Sequence, residues 1–268
     1  MSRPSWMPPE IDPDVPSAAR VYDYYLGGRH NFASDRLMGD RALAQWPTLP
    51  RIMQANRAFL RRAVRYAVAQ GIDQFLDIGS GIPTVGNVHE VAQEADPAAR
   101  VVYVDRDPVA VAHSRTILDG VPRAGVVEAD FIDPDAVLND PVTRAVLDLD
   151  RPVAVLLVAV LHFVGDALEP RRALARYSEA MAPGSLLVIS HASAEGDPDH
   201  AGEHAELYRN AGTPMTMRSR EEVTTFFDGF VLVDPGVVYL PLWHPDAPES
   251  AANSPERFTG YAAVGRRN

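Results

Sequence analysis

The sequence predicts an α/β protein with a doubly wound, mostly parallel sheet, a terminal antiparallel hairpin and an N-terminal helical cap. Three observations support this fold class. A short apolar strand at 74–78 runs into a glycine-rich turn, and a helix pattern follows that turn. From residue 72 onward, strand and helix patterns alternate, as a parallel sheet requires. The last two strand-like runs have no helix between them, which is typical of an antiparallel pair.

The first 70 residues predict an arm and three helices. Residues 1–16 hold five prolines and predict a flexible or draped arm. Ser17 is a suitable cap for a helix over Ala18–Leu26, and two more helices are expected at about 35–45 and 50–70.

The segment 17–32 is rich in aromatic and hydrogen-bonding side chains, and two functions are open for it. It either patches the core as a helical hairpin or closes over a ligand as a lid. We therefore divide the chain into a flexible arm (1–16), a helical cap or lid (17–70) and an α/β domain (71–268).

The α/β part predicts five parallel strands followed by an antiparallel pair, seven strands in all. The parallel strands are expected at 74–78, 100–104, 125–128, 153–160 and 185–190. Proline at the first helical position indicates helix starts at 108, 134 and 170. Residues 193–204 are polar and contain glycine and proline, which predicts a loop. A capping box at 219–222 starts a short helix, and the final strands are expected within 230–243 and 259–264.

Composition limits the possible functions. The 268 residues carry a net charge of −11, which argues mildly against a nucleic-acid groove, although a local basic patch stays possible. All basic residues are arginine, and the absence of cysteine excludes disulfide and thiolate chemistry. Because no signal peptide and no membrane-spanning run is found, we expect a cytoplasmic protein with no membrane partner. The sequence does not indicate an oligomeric state.

The glycine-rich turn indicates a nucleotide-like ligand. The fingerprint of NAD-binding proteins, G-x-G-x-x-G, is broken, because Thr84 follows where its third glycine would stand. An acid, Asp77, instead precedes Gly79 and Gly81 in the order D-x-G-x-G. That order resembles motif I of methyltransferases that use S-adenosylmethionine (SAM).

Acidic residues end the next two strands. Asp105 follows the second strand, where an acid in a doubly wound fold binds ribose hydroxyls. Asp130 and Phe131 follow the third strand, and a carboxylate beside a ring can accept from an adenine amino group while the ring packs on the base. Arg57 lies before the glycine turn and is a candidate partner for a ligand carboxylate.

Two further patterns concern catalysis and metals. His162 follows the fourth strand, where an acceptor would enter, and is the first candidate base, with Tyr24 and His191 as the next candidates. The spelling His-x-x-Glu-His at 200–204 matches one class of zinc protease, but the predicted loop and Gly202 argue against a zinc site. No metal is therefore expected.

The sequence resembles an actinobacterial family of SAM-dependent (class I) methyltransferases of unassigned substrate. The resemblance extends from Pro16 to Arg266 and is carried by seven further stretches beside the segment 71–84. These stretches are Ser17–Gly28, Asn56–Arg57, Asn87–Ala92, Val102–Asp105, Val160–Phe163, Pro183–His191 and Asp234–Val238.

The resemblance implies a Rossmann-like methyltransferase sheet of seven strands and SAM as the cofactor. Its function would be transfer of the SAM methyl group to a small-molecule acceptor. The expected cofactor-binding residues are Asp77, Gly79, Ser80, Gly81, Pro83, Thr84, Asp105, Arg106, Asp130, Phe131, Val160, Leu161 and Arg57. Two alternatives stay open: a non-catalytic module that binds SAM or its demethylated product as a sensor, and an NAD-dependent oxidoreductase.

Overall fold

The computed structural model describes residues 11–83, 86–247 and 253–268. The helices are α1 (Ala18–Tyr25), α2 (Ala33–Gln45), α3 (Leu49–Ala69), α4 (Val88–Ala95), α5 (Pro108–Ile117), α6 (Pro134–Leu138), α7 (Pro141–Val146), α8 (Pro170–Ala180), α9 (Pro198–Asn210) and α10 (Arg220–Thr224). The strands are β1 (Gln74–Ile78), β2 (Arg100–Asp105), β3 (Ala124–Glu128), β4 (Ala154–Val158), β5 (Leu186–Ala192), β6 (Phe230–Leu232), β7 (Val238–Tyr239) and β8 (Gly260–Arg267).

One twisted sheet contains all of these strands, in the order β3-β2-β1-β4-β5-β8-β6, with β7 paired to β8. The strands β1 to β5 are parallel. The long strand β8 runs antiparallel to β5, β6 and β7. The predicted fold class is therefore confirmed, with a terminal antiparallel unit that is broken into one more strand than expected.

Two hydrophobic clusters cover the two faces of the sheet. Because side chains alternate along a strand, Phe75 packs into one cluster and its neighbour Leu76 into the other. The first cluster also holds Val21, Phe59 and Trp243, so the helices of 17–70 share a core with the sheet. The second cluster includes Tyr177 of α8 and lies on the opposite face.

Capping chemistry explains several helix starts. Asp107, Asp133 and Asp140 each accept a hydrogen bond from a backbone N–H in the first turn of the helix that follows them. The capping box of Ser219 and Glu222 is confirmed. The prediction for Ser17 is wrong in part: it precedes α1, but its hydroxyl makes no cap and instead donates to Asp107.

Two predictions of secondary structure are wrong. The expected loop at 193–204 contains the start of α9, because Pro198 stands at the first helical turn and the two-turn pattern of Ala201, His204 and Tyr208 is buried. The run expected at 230–243, with a turn at 234–236, forms the short strands β6 and β7 on either side of that turn, and the prediction is wrong only at its end, where Leu240–Leu242 form a 3-10 turn.

The predicted arm lies partly outside the described residues, which begin at Ile11. The described part is held in place, since the Val15 carbonyl accepts from Arg20 and the Pro13 carbonyl accepts from Ser34. No helix within the described ranges is long and apolar enough to cross a membrane.

Candidate active site

A cavity of about 620 Å³ opens at the carboxyl ends of the parallel strands. This edge of a doubly wound sheet is where ligands bind. Each of the five parallel strands contributes to the lining at or just beyond its end, through Asp77, Asp105, Asp130, Val160 and His191. The helices α1, α3 and α9, with Trp46 just after α2, close the other sides. The volume is in the range of pockets that enclose a small molecule.

The glycine turn after β1 forms one wall of the cavity. Gly79 and Gly81 both have positive φ, +69° and +64°, which non-glycine residues rarely adopt. The N–H groups of Gly79 and Ser80 donate to the Val104 carbonyl, at 2.8 and 3.1 Å. A Cβ atom on Gly79 would lie 2.3 Å from Val160 Cγ2, whereas one on Gly81 would meet no atom within 4 Å. The turn is therefore packed closely against β4 on one side and open to the cavity on the other.

The hydroxyl of Ser80 adds a polar group to this wall. Its Oγ atom is buried and has no hydrogen-bond partner among the described residues. The predicted site residue Pro83 is buried beside the turn but is not among the described residues that line the cavity. The predicted site residue Thr84 lies outside the described residues.

Asp105 connects the glycine turn to the start of α5. Its Oδ2 atom accepts from the Gly81 N–H at 2.7 Å, and its Oδ1 atom accepts from the Asp107 N–H at 2.8 Å. Burial raises the pKa of this carboxyl to about 6, and the two backbone N–H groups partly oppose that rise. Each carboxylate oxygen has a second lone pair, so Asp105 can hold the loop and still accept a ligand hydroxyl.

Asp130, Phe131 and Arg106 line the cavity beside Asp105. Arg106 does not pair with Asp105; its Nη1 atom donates to Asp130 Oδ2 at 3.1 Å. The Phe131 ring stacks on Tyr177 with centroids 5.6 Å apart. The stacking fixes the ring from behind, so its free edge forms a firm apolar boundary of the cavity.

The buried Asp77 and the partly buried Arg57 lie near the glycine turn, close enough to influence each other electrostatically. Burial raises the Asp77 pKa to about 7, an effect that Arg57 opposes and Asp105 reinforces. Arg57 Nη2 also donates to the Gly86 carbonyl at 3.2 Å, which ties α3 to the start of α4. Both side chains line the cavity.

Two of the candidate bases are corrected by the structure. Tyr24 is not among the described residues that line the cavity; its hydroxyl donates to Asp40 at 2.6 Å on the outer side of α1. His191 lines the cavity, but both of its ring nitrogens are engaged. Its Nδ1 atom lies 2.7 Å from the Ala192 carbonyl and its Nε2 atom lies 2.9 Å from Arg218 Nη1. Since a carbonyl only accepts and a guanidinium only donates, His191 has no free lone pair with which to act as a base.

His162 is the candidate that stays in the cavity with a nitrogen available. The Ala192 N–H donates to its Nδ1 atom at 3.4 Å, which places the ring hydrogen on Nε2. Burial lowers its pKa well below the ordinary value, and His191, His204 and Arg218 reinforce this. A neutral His162 of this tautomer donates a hydrogen bond to a ligand rather than removing a proton.

Leu161 is also corrected. Its side chain is fully buried in the cluster on the far face of the sheet, and its carbonyl accepts from Arg218. It supports the turn after β4 without lining the cavity.

Sequence reasoning missed a buried polar chain in the cavity wall. Asn56 Nδ2 donates to the Tyr22 hydroxyl at 2.9 Å, and Ser190 Oγ donates to Asn56 Oδ1 at 2.6 Å. The Ala159 N–H in turn donates to Ser190 Oγ at 2.9 Å. The chain links α1, α3, β4 and β5 around the cavity. The stretches Ser17–Gly28 and Asn56–Arg57 had carried the family resemblance, which was the available signal.

Comparisons with known proteins assign the chain to a family. A family model described as S-adenosyl methyltransferase matches residues 4–268. The chain belongs to this family. Its cofactor is SAM, and the resemblance inferred from the sequence motifs is thereby confirmed.

Two solved structures from actinobacteria are similar to this chain over nearly its whole length. One is a DUF574 family protein from Streptomyces avermitilis, 42% identical, covering 96% of this chain and 99% of that chain with a TM-score of 0.92. The other is a provisionally named methyltransferase from Thermobifida fusca, 42% identical, covering 99% and 100% with a TM-score of 0.92. The comparison with curated proteins found no match.

A more distant structure shows the same fold. The N-methyltransferase NodS from Bradyrhizobium japonicum, in complex with S-adenosyl-L-homocysteine, is 14% identical with a TM-score of 0.50 and covers 92% of this chain and 98% of that chain. The sheet described above is thus the sheet of class I methyltransferases.

The residues at the strand ends fit SAM. The open space beside Gly81 and the partnerless hydroxyl of Ser80 provide room and a polar contact. Asp105 offers acceptor lone pairs for ribose hydroxyls, and Phe131 with Asp130 offers an apolar edge and an acceptor for a base. No group of three or more metal-ligating side chains occurs in the described part of the chain, so the His-x-x-Glu-His spelling forms no such cluster.

Proposed function

We propose that this protein catalyses transfer of a methyl group from SAM to a small-molecule acceptor. The single observation that supports this proposal is the continuity of the cavity. One space of about 620 Å³ joins the strand-end acids to a region lined by Trp46 and by α9, which the proposed cofactor-binding residues do not line. A second reactant can therefore lie next to the cofactor within the same enclosure.

The proposed cofactor-binding residues surround the strand ends. Gly79, Ser80 and Gly81 admit the methionine part, Asp105 holds the ribose, and Asp130 with Phe131 contacts adenine. Asp77 and Arg57 present a carboxylate and a guanidinium to the amino-acid charges. Val160 sets the back wall through its contact with Gly79.

When bound, SAM supplies an electrophilic methyl group. The chain's own contribution is to orient the acceptor and exclude water. His162 presents its Nε2 hydrogen to the acceptor and fixes its direction of approach. The polar chain of Tyr22, Asn56 and Ser190 holds α1 against the sheet, so that the wall between the two reactants is rigid.

We also propose that residues 17–70 act as a lid. Ser17 donates to Asp107, and Arg20 Nη1 lies 3.7 Å from the same carboxylate. Asp107 is the residue after Arg106 and donates its N–H to Asp105. The start of α1 is thus fastened to the loop that carries the proposed ribose acid, so that release of these contacts would open the cavity at that edge.

Transfer of a labelled methyl group from SAM to an acceptor tests the proposal. The full chain is incubated with methyl-labelled SAM and the low-molecular-weight fraction of an actinobacterial extract, and labelled products are separated by chromatography. We expect label in at least one compound. If SAM binds in calorimetry but no compound acquires label, the protein is not a small-molecule methyltransferase.

Asp105→Ala is the test variant for the cofactor site. We expect SAM to bind at least about tenfold more weakly, because hydrogen bonds worth about 1.4 kcal/mol or more are lost. Asp73→Ala is the matched control, since Asp73 precedes β1 at the other end of the sheet and pairs with Arg151. Equal SAM affinity of the Asp105 variant and the control would remove Asp105 from the site.

A further inference from the structure

The cavity continues from the strand ends into a chamber walled by aromatic and sulfur-containing side chains. We define this ring chamber by Trp46, Phe163, His204, Tyr208, Met215 and Met217, all of which line the cavity. They come from the end of α2, the turn after β4, α9 and the segment that follows α9. The Thr216 N–H donates to the His162 carbonyl at 2.7 Å, which fastens that last segment to the turn after β4.

Ring contacts run without interruption around the chamber. Trp46 meets His204 with centroids 5.7 Å apart, and His204 meets Tyr208 at 4.8 Å. Tyr208 meets Phe163 at 5.7 Å, and Phe163 meets His162 at 4.4 Å. All five rings line the cavity, and an aromatic lining of this kind favours a flat aromatic guest. Met215 and Met217 line the same cavity and are adaptable contacts for such a ring.

His204 brings an imidazole into the ring chamber. It is 6% exposed, and its Nδ1 atom is buried with no hydrogen-bond partner among the described residues. Burial lowers its pKa to about 4, so the ring is neutral at physiological pH. The buried Nδ1 atom has no acceptor among the described residues, whereas Nε2 is not among the buried atoms that lack a partner. The ring hydrogen is therefore assigned to Nε2, where it can reach a ligand in the cavity.

The ring chamber holds no formal charge. His204 is neutral, and the other members are aromatic, phenolic or thioether side chains; the neighbouring His162 is neutral as well. A charged acceptor would lose its hydration there without gaining a counter-charge. An uncharged acceptor with one polar group would match the unsatisfied imidazole of His204.

We propose that the methyl acceptor is a flat, uncharged aromatic compound that lies in the ring chamber and hydrogen-bonds through a hydroxyl group to His204. This proposal rests on the proposed function, because it assigns the second reactant of that reaction. His204 is then a specificity-determining residue.

Binding of probe compounds tests the chemical class. Calorimetry with the full chain, with and without S-adenosylhomocysteine, compares 1-naphthol with decahydro-1-naphthol, 1-naphthoate and 1-naphthylmethylammonium. We expect 1-naphthol to bind about fivefold more tightly than the saturated alcohol, because ring–ring contacts contribute about 1 kcal/mol. Both charged probes should bind at least about tenfold more weakly than 1-naphthol. Equal binding of the saturated alcohol, or of either charged probe, would overturn the proposal.

Two leucine variants test the hydrogen bond. His204→Leu should weaken 1-naphthol binding about fivefold, as expected for one hydrogen bond, and His204→Gln should restore most of it because its amide can replace Nε2. His200→Leu is the matched control: His200 lies one turn earlier on α9 and stacks on Trp46 at 5.7 Å, but it does not line the cavity. An equal loss in both leucine variants would show that packing on Trp46, not the polar contact, is responsible.

The two proposals fail in different measurements. If S-adenosylhomocysteine does not bind, the proposed function fails, and the 1-naphthol titration without it still judges the ring chamber. If S-adenosylhomocysteine binds but 1-naphthol does not, the acceptor assignment fails while the proposed cofactor site stands. Circular dichroism and SAM affinity of each variant confirm that the fold is retained.

Discussion

At the scale of single residues, Gly79 is a position in the cavity wall where no side chain has room. Gly79→Ala places a methyl group 2.3 Å from Val160 Cγ2 and forces alanine to a φ of +69°. We expect the free energy of unfolding to fall by about 3 kcal/mol, from about 1–2 kcal/mol of backbone strain plus overpacking. Gly71→Ala is the control, because φ is +81° there but no atom lies within 4 Å. The free energy of unfolding of Gly71→Ala should fall only by the backbone strain of about 1–2 kcal/mol. Urea unfolding measures both, and equal losses would show that Val160 moves aside without cost.

Asp77 should make the stability of the protein depend on pH. Its pKa is about 7 in the folded chain and near 4 when the chain is unfolded, because burial disfavours the carboxylate. The folded state therefore binds the extra proton between these values, so the free energy of unfolding falls as pH rises from about 4 to about 7 and then levels. Asp105, with a pKa of about 6, adds to the same trend up to its own titration.

In Asp77→Asn this part of the pH dependence should disappear, so that the variant gains stability relative to wild type as pH approaches 7. Urea titrations at pH 5, 6, 7 and 8 provide the measurement. Asp246→Asn is the control, since its side chain is 66% exposed. An unchanged slope in Asp77→Asn would mean that the carboxyl is ionised throughout this range.

At the scale of elements, α1 is the part that should respond most to ligand. It contributes Val21 and Tyr25 to the core, and its start is fastened to the loop after β2 because Ser17 and Arg20 both contact Asp107. Arg20 also pairs with the buried Asp35 at 2.8 Å, so α1 and α2 are coupled. If these helices are a lid, binding at the strand ends stabilises the closed arrangement.

Hydrogen exchange tests this expectation. Amides of Ala18–Tyr25 should exchange at least about fivefold more slowly with saturating S-adenosylhomocysteine, whereas those of α7 should not change, because residues 141–146 do not line the cavity. The same slowing in both helices would indicate a general gain of stability instead of closure of a lid.

The elements also show what the sequence could predict. Strand β1 and the turn after it could be predicted, because an apolar run, the acid Asp77 and two closely spaced glycines leave few alternative conformations. The helix α9 was not, since its apolar stripe is short and its His200, Gly202 and Glu203 are residues that occur equally in loops. What fixes it is tertiary: Tyr208 and His204 become buried only when α9 packs against α2.

Dependence on tertiary contacts also decides which parts of the candidate site could be predicted. The acids at the strand ends could be predicted, because parallel strands bring their carboxyl ends to one edge. The ring chamber could not, since Trp46, Phe163 and His204 are far apart in the sequence and meet only after folding. The failure of His191 as a base was equally unreadable, because it depends on Arg218, which approaches from a segment with no regular structure.

At the scale of the whole molecule, the hydrophobic clusters on the two faces of the sheet contribute very differently to the cavity. The cluster on one face joins α8 and α10 to β1–β5, and among the described residues it contributes to the cavity only through Ala129, Phe131, Val160 and Val164. The cluster on the other face joins α1–α4 and α9 to the same strands and surrounds the cavity. The elements that surround the cavity share one core with the sheet and should unfold together with it. A bound ligand should therefore raise the free energy of global unfolding.

SAM should accordingly raise the melting temperature of the full chain, and NAD should not. At a concentration one hundred times its dissociation constant, a ligand that binds only the folded state adds about 2.7 kcal/mol. For a chain of this size that corresponds to a shift of about 5–10 °C. Because G-x-G-x-x-G is broken and β8 is antiparallel, we expect no equivalent rise in melting temperature with NAD.

Differential scanning fluorimetry with each compound, and with Asp105→Ala as the reduced-affinity control, makes the comparison. A stabilisation by NAD equal to that by SAM would contradict the assignment of the strand-end residues to a methionine nucleoside.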